Sequence, residues 1–157
     1  MSALHEANSF HEDMISVHNR LPDFNEFRRV RSLELADASG VSDEQLAQVL
    51  RYCPHVERVD LSGVSDLSDR TVVLLASNAT NLREVNISGS QFVTDVGVLE
   101  LLNKSLPLQC ARLNGVGLTD PCVSAIAKSC SRLIELELCH IPLLSPLSVR
   151  DVWSFSR

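Results

Sequence analysis

A chain of 157 residues carries 20 acidic against 14 basic side chains, a formal net charge of −6. That balance offers no basic, counterion-releasing face for nucleic acid and none for an anionic bilayer. Apolar residues make up 45% of the chain but aromatic ones only 4%, so the length suits one domain whose core must be aliphatic. No apolar run approaches the ~18 residues that span a membrane. The opening MSALHEANSF lacks the basic and apolar regions of a signal peptide. A cytoplasmic or nuclear protein is expected, with its five cysteines reduced.

Residues 1–29 come first. Ser9-Phe10-His11-Glu12 and Asp23-Phe24-Asn25-Glu26 both have the capping-box form that starts a helix. They predict an N-terminal helical cap followed by the helical half of an incomplete repeat. His11 and His18, even with Glu12, are too few ligands for a metal site.

From residue 30 the chain repeats. Val30, Val56, Leu82, Leu108 and Leu133 stand 26, 26, 26 and 25 residues apart. Three positions further on are Leu33, Val59, Val85, Ala111 and Leu136, and two beyond those are Leu35, Leu61, Ile87, Leu113 and Leu138. Alternation of this kind predicts short strands at 33–35, 59–61, 85–87, 111–113 and 136–138, turned in the middle repeats by Gly63, Gly89 and Gly115. Ser42, Ser68, Thr94, Thr119 and Ser145 then supply hydroxyls that can cap helix starts. Asp43, Asp69, Asp95 and Asp120 follow where negative charge suits a helix N-terminus, and Pro146 takes that place in the last repeat. Apolar residues at helical spacing complete each unit, for example Leu46/Val49/Leu50 and Val98/Leu101/Leu102.

A unit of one strand and one helix cannot bury its own apolar face, so neighbours must stack. The expected fold is α/β: a leucine-rich-repeat solenoid in a right-handed horseshoe arc, with a parallel sheet on the concave face and helices on the convex face. Five repeats are expected at 30–55, 56–81, 82–107, 108–132 and 133–157.

The stretches CPHVERVDLSGVSDLSD, LREVNISGSQFVTD and CSRLIELELCHIPLLS resemble the cysteine-containing class of leucine-rich repeat. More narrowly they resemble the repeat domain of fungal F-box/leucine-rich-repeat proteins of the glucose-repression-resistance type, the substrate receptors of SCF ubiquitin ligases. FRRVRSLELAD, ARLNGVGLTD and LSPLSVRDVW extend the likeness over residues 24–157, and Cys53 and Cys130 match the family's cysteine near the helix end. The sequence departs from the family elsewhere. Ala38, Val64, Ser90, Val116 and Ile141 replace its other cysteine, and the six residues between Asp23 and Val30 leave no room for an F-box. The resemblance implies substrate recognition in ubiquitin-dependent protein turnover. The alternatives are a free-standing regulatory binder or inhibitor without an F-box, or a truncated paralogue without function.

No phosphate loop, nucleophile elbow or paired-carboxylate motif occurs, so neither an enzyme nor a cofactor is expected. Cys139 and His140 are adjacent near the end of a strand, and neighbours there face opposite ways. The candidate partner-binding residues are instead those pointing to the concave face: Glu34, Arg58, Asp60, Glu84, Asn86, Arg112, Glu135 and Glu137. Five acids against two arginines favour a basic or neutral protein segment over a phosphorylated one. The fifth repeat offers Leu143, Val149, Val152, Trp153 and Phe155 with no polar cap after them, which predicts self-association through that end.

Overall fold

A computed structural model describes residues 27–38, 41–104, 106–129 and 132–145. The expected N-terminal cap, apart from its last residues, and the helix expected after Ser145 lie outside them.

Strand and helix alternate along the chain: β1 (Ser32–Glu34), α1 (Asp43–Tyr52), β2 (Arg58–Asp60), α2 (Asp69–Asn78), β3 (Glu84–Asn86), α3 (Asp95–Asn103), β4 (Cys110–Arg112), α4 (Asp120–Ser129) and β5 (Glu135–Glu137). The five strands form one parallel sheet in sequence order. Register partners run Leu33, Val59, Val85, Ala111 and Leu136, the spacing that the apolar pattern predicts. The chain is an α/β leucine-rich-repeat solenoid, with the sheet on its concave side and the helices on its convex side.

Each strand begins and ends one residue earlier than expected. The apolar pattern marks burial, whereas the ladder is centred on its first buried residue. The second residue of that pair falls just beyond each strand but in the first four repeats keeps a backbone bond to the next repeat. Leu61 N–H donates to Asn86 O at 2.8 Å, and Ile87 N–H to Arg112 O at 3.0 Å. Leu61, Ile87 and Leu113 are buried, while Leu35 and Leu138, in the first and last repeats, are only half-buried. The helices close the core with Leu46/Leu50, Val72/Leu75, Val98/Leu101 and Val123/Ile126. Phe27 packs at the first repeat's edge, its ring centroid 6.4 Å from that of Tyr52.

The turn after each strand uses one left-handed residue: Asp37, Gly63, Gly89, Gly115 and His140, at φ 56°, 72°, 84°, 71° and 54°. These turns stack through backbone bonds such as Gly63 N–H to Ser88 O at 2.9 Å and Gly89 N–H to Asn114 O at 2.7 Å. At Gly89 a Cβ would meet only ordinary contacts, so its positive φ is what favours glycine there.

The first three helix starts carry the expected caps. Ser42 and Gln45 form a full capping box, and Ser68 and Thr94 accept from Arg70 and Val96 N–H. The aspartates do more than meet the helix dipole, because each reaches sideways to the next repeat's cap. Asp43 accepts from Ser68 N–H at 3.1 Å, from the Ser68 hydroxyl, and from Thr71 Oγ1 at 2.6 Å. Asp69 accepts from Thr94 N–H at 2.8 Å, Thr94 Oγ1 at 2.7 Å and Gly97 N–H at 3.0 Å. Asp95 does the same for Thr119, and Asp120 accepts from Ser145 N–H at 2.8 Å. The Asp69 carboxylate leaves no space at position 97, where a Cβ would come within 2.5 Å of Oδ1. One row of carboxylates therefore clasps repeat to repeat at the helix N-termini, while the sheet joins them on the other side.

Candidate functional site

The sheet's register sets the concave face in three columns. The first holds Ser32, Arg58, Glu84, Cys110 and Glu135. The middle one holds Glu34, Asp60, Asn86, Arg112 and Glu137. Ala36, Ser62, Ser88, Asn114 and Cys139 follow, just past the strands. All eight candidate residues thus lie in two adjoining columns.

All of them but Glu34 are tied to one another by side-chain bonds. Arg58 Nε meets Glu84 Oε1 at 2.9 Å, and Arg112 Nε meets Glu137 Oε1 at 2.9 Å, both across neighbouring strands. Arg112 also reaches Glu135 at 2.5 Å. Asn86 Nδ2 donates to Asp60 Oδ2 at 3.2 Å, and Asn114 Nδ2 donates to Glu137 Oε2 at 2.8 Å. Bonds from Asn114 and then Arg112 hold the Glu137 carboxyl below its ordinary range, and the bond to Glu137 lifts Arg112 further above its own. Asp60 Oδ1 accepts from both the N–H and the hydroxyl of Ser62, at 2.9 and 2.6 Å. A shallow concavity of about 190 Å³ lies over Glu34, Ala36, Arg58, Asp60, Glu84, Asn86 and Arg112. It runs along the face from β1 to β4 as a shallow trough.

Two features escape a reading of the sequence, one of them on this face. Cys110 belongs to an exposed column yet is buried, and its electrostatic neighbours are Arg112, Glu135 and Glu84. Away from this face Phe92 and Val96 are 64% and 63% exposed, and Leu143, named above for self-association, is 60% exposed. Phe92 stands two residues before Thr94 at a helix start, the place that Gly40, Asp66 and Gly117 take in other repeats. A large apolar residue where three other repeats carry Gly or Asp is the signal that could have found Phe92. The other residues expected to drive self-association, Val149, Val152, Trp153 and Phe155, lie outside the described residues.

Cys139 and His140 form no pair of nucleophile and base. Cys139 follows the last strand, with its N–H bonded to Asn114 Oδ1 at 2.7 Å, and His140 makes the left-handed turn. Burial pushes the Cys53 thiol up to about 11, and burial with the Asp95 carboxylate beside it pushes Cys122 up to about 12. At neutral pH neither offers appreciable thiolate, the form that reacts. Mass spectrometry after brief iodoacetamide treatment of the native chain should show Cys139 alkylated, with Cys53 and Cys122 modified only after denaturation. Rapid labelling of either buried thiol in the native state would contradict this packing. Among the described residues no three His, Cys, Asp or Glu side chains are placed to hold a metal ion, and no helix is long and apolar enough to cross a membrane.

No family model matches the chain. It superposes on the tropomodulin C-terminal domain of Caenorhabditis elegans with a TM-score of 0.65 at 14% identity, over 85% of this chain and 88% of that one. It also superposes on leiomodin-1 actin-binding site 2 with a TM-score of 0.61 at 15% identity, over 85% and 82% of the two chains. In sequence it is 27% identical over 124 residues to the DNA repair protein rhp7 of Schizosaccharomyces pombe, 75% of this chain but only 21% of that protein's length.

These likenesses establish the solenoid fold and overturn the resemblance to F-box/leucine-rich-repeat receptors. The phrasing that carried it has structural causes throughout. The apolar alternation builds strands, glycine makes the left-handed turn, and the hydroxyl–aspartate pair caps one helix and clasps the next repeat. Such phrasing identifies the architecture and not one functional family within it. The role in ubiquitin-dependent turnover rested on that resemblance and has no other support.

Proposed function

We propose that the chain is a non-catalytic protein-recognition module that uses its concave sheet face to bind a segment of another protein. The observation that carries this reading is the order of that face. Strands β2 to β5 present polar side chains in columns, held by ion pairs and by hydrogen bonds from asparagine amides before any partner arrives. A surface fixed in advance loses little further side-chain freedom on binding. Leiomodin-1, which shares the architecture, uses the matching region as an actin-binding site by its own description, which is consistent with a solenoid of this size serving as a binding surface. The reading places the chain in the cytoplasm or nucleus, where its thiols stay reduced, and assigns it no cofactor.

Photo-crosslinking in cells would test this. A crosslinking amino acid at Asn86 on the concave face should yield a discrete protein adduct. The same residue at Gln48 or Ser77, both exposed on helices, should not. Adducts from the helical positions alone would move the binding surface to the convex side and defeat the proposal.

A further inference from the structure

We infer that the concave face receives an extended cationic segment, with an arginine side chain seated between Glu34 and Asp60. This rests on the docking role proposed above and adds the chemistry of the occupant.

The face carries Glu34, Asp60, Glu84, Glu135 and Glu137 against Arg58 and Arg112, a net of −3. The shortage of positive charge is local. Arg58 is taken by Glu84, and Arg112 by Glu135 and Glu137. Glu34 and Asp60 are left without a cation among the described residues. They are also register partners on β1 and β2, and like charges directly opposite on neighbouring strands destabilise a sheet. Elsewhere in the middle column the neighbours suit each other, as Asp60 with Asn86 and Arg112 with Glu137. The β1–β2 step alone places acid against acid.

Both carboxylates keep room to accept. The Ser32 hydroxyl reaches Glu34 Oε1 at 3.3 Å, and Asp60 receives Ser62 and Asn86. A carboxylate offers about four lone-pair sites. Ala36, past the end of β1, adds little bulk beside Glu34, and the shallow concavity that runs from β1 to β4 takes in this corner. A guanidinium, planar and with several donors, suits two neighbouring carboxylates better than a point-charge ammonium. Strands about 4.8 Å apart make the face about 19 Å across, the length of roughly six extended residues. A short linear segment can therefore cross it with one arginine over the acidic step.

The test uses the full ¹⁵N-labelled chain and blocked peptides of about seven residues, alike except for a central arginine, citrulline or phosphoserine. The arginine peptide should shift the amides of Leu33–Ala36 and Val59–Ser62, and its affinity should fall as salt is added. Citrulline, with the same shape but no charge, should bind roughly tenfold more weakly, at the low end of charge-pair coupling across interfaces. Glu34→Gln and Asp60→Asn together should erase that difference, and Glu34→Gln alone should reduce it while leaving the Asp60 bonds in place. If arginine and citrulline peptides bind these amides equally well, concave docking stands and the cationic inference fails. Preferred binding of the phosphoserine peptide would overturn the inference in favour of Arg58 and Arg112 as ligands. Shifts confined to the helices would overturn it together with the docking role, and no response from any peptide at millimolar concentration would also overturn it.

Discussion

Replacing Ile87 by alanine should destabilise the chain by about 2–5 kcal/mol, the range for removing a fully buried branched side chain without complete collapse of the cavity. Ile87 is 0% exposed and belongs to the central repeat, with its counterparts Leu61 and Leu113 buried on either side. Its backbone is held in both directions, the N–H by Arg112 O at 3.0 Å and the carbonyl by Ser90 N–H at 3.2 Å. The surroundings cannot easily close over the space. In a solenoid each unit is stabilised by its neighbours, so a defect in the middle weakens two interfaces where one at the end weakens fewer. Leu138→Ala, at the half-buried counterpart in the last repeat, should therefore cost less. Denaturant titration of both variants would decide the matter. A loss under ~1 kcal/mol at Ile87 would fall below the range for core truncation and show that the repeat alignment misplaces it.

How much was legible before the structure follows from what each feature depends on. Burial and register were readable because they repeat at fixed spacing: Leu33, Val59, Val85, Ala111 and Leu136 fall into one ladder. Strand ends were not, because hydrophobicity reports which face a residue takes and not where hydrogen bonding stops. On the concave face, Arg58–Glu84 and Arg112–Glu137 could be foreseen as lateral neighbours from register alone. The diagonal reach of Arg112 to Glu135 and the burial of Cys110 depend on which way long side chains turn, and a sequence does not carry that. The aspartate row was visible at its 26- and 25-residue spacing but was assigned only to its own helix. Its second task lies across a repeat boundary, where chain-local reasoning about caps does not look. The family resemblance misled for a related reason: residues repeated for structural ends look like a functional signature.

The clasp is where a small change should have a large effect, and Asp43 is its most exacting member. Its carboxylate accepts from Ser68 N–H, the Ser68 hydroxyl and Thr71 Oγ1, and Thr71 is wholly buried. Asp43→Ala takes away the short bond and leaves that hydroxyl only the residue's own backbone carbonyl at 3.4 Å, in a place water does not reach. Such a loss costs about 1–3 kcal/mol. Asp43→Asn keeps one carbonyl oxygen to accept with and should cost less. The wild-type chain should also show the charge in its pH dependence. Partial burial raises the Asp43 pKa, but bonds from Ser68 and Thr71 outweigh it and leave the carboxyl below its ordinary 3.8. With the folded value depressed, the unfolded chain binds the proton more readily. The stabilisation is then full above the ordinary value and is lost as pH falls through the folded one. Urea titrations across the acid range should give a shallower decline of stability with falling pH in Asp43→Asn than in wild type. Equal slopes would mean that the carboxylate's charge contributes nothing to the clasp, and an unchanged stability in Asp43→Ala would mean that the sheet and core alone hold the first two repeats together.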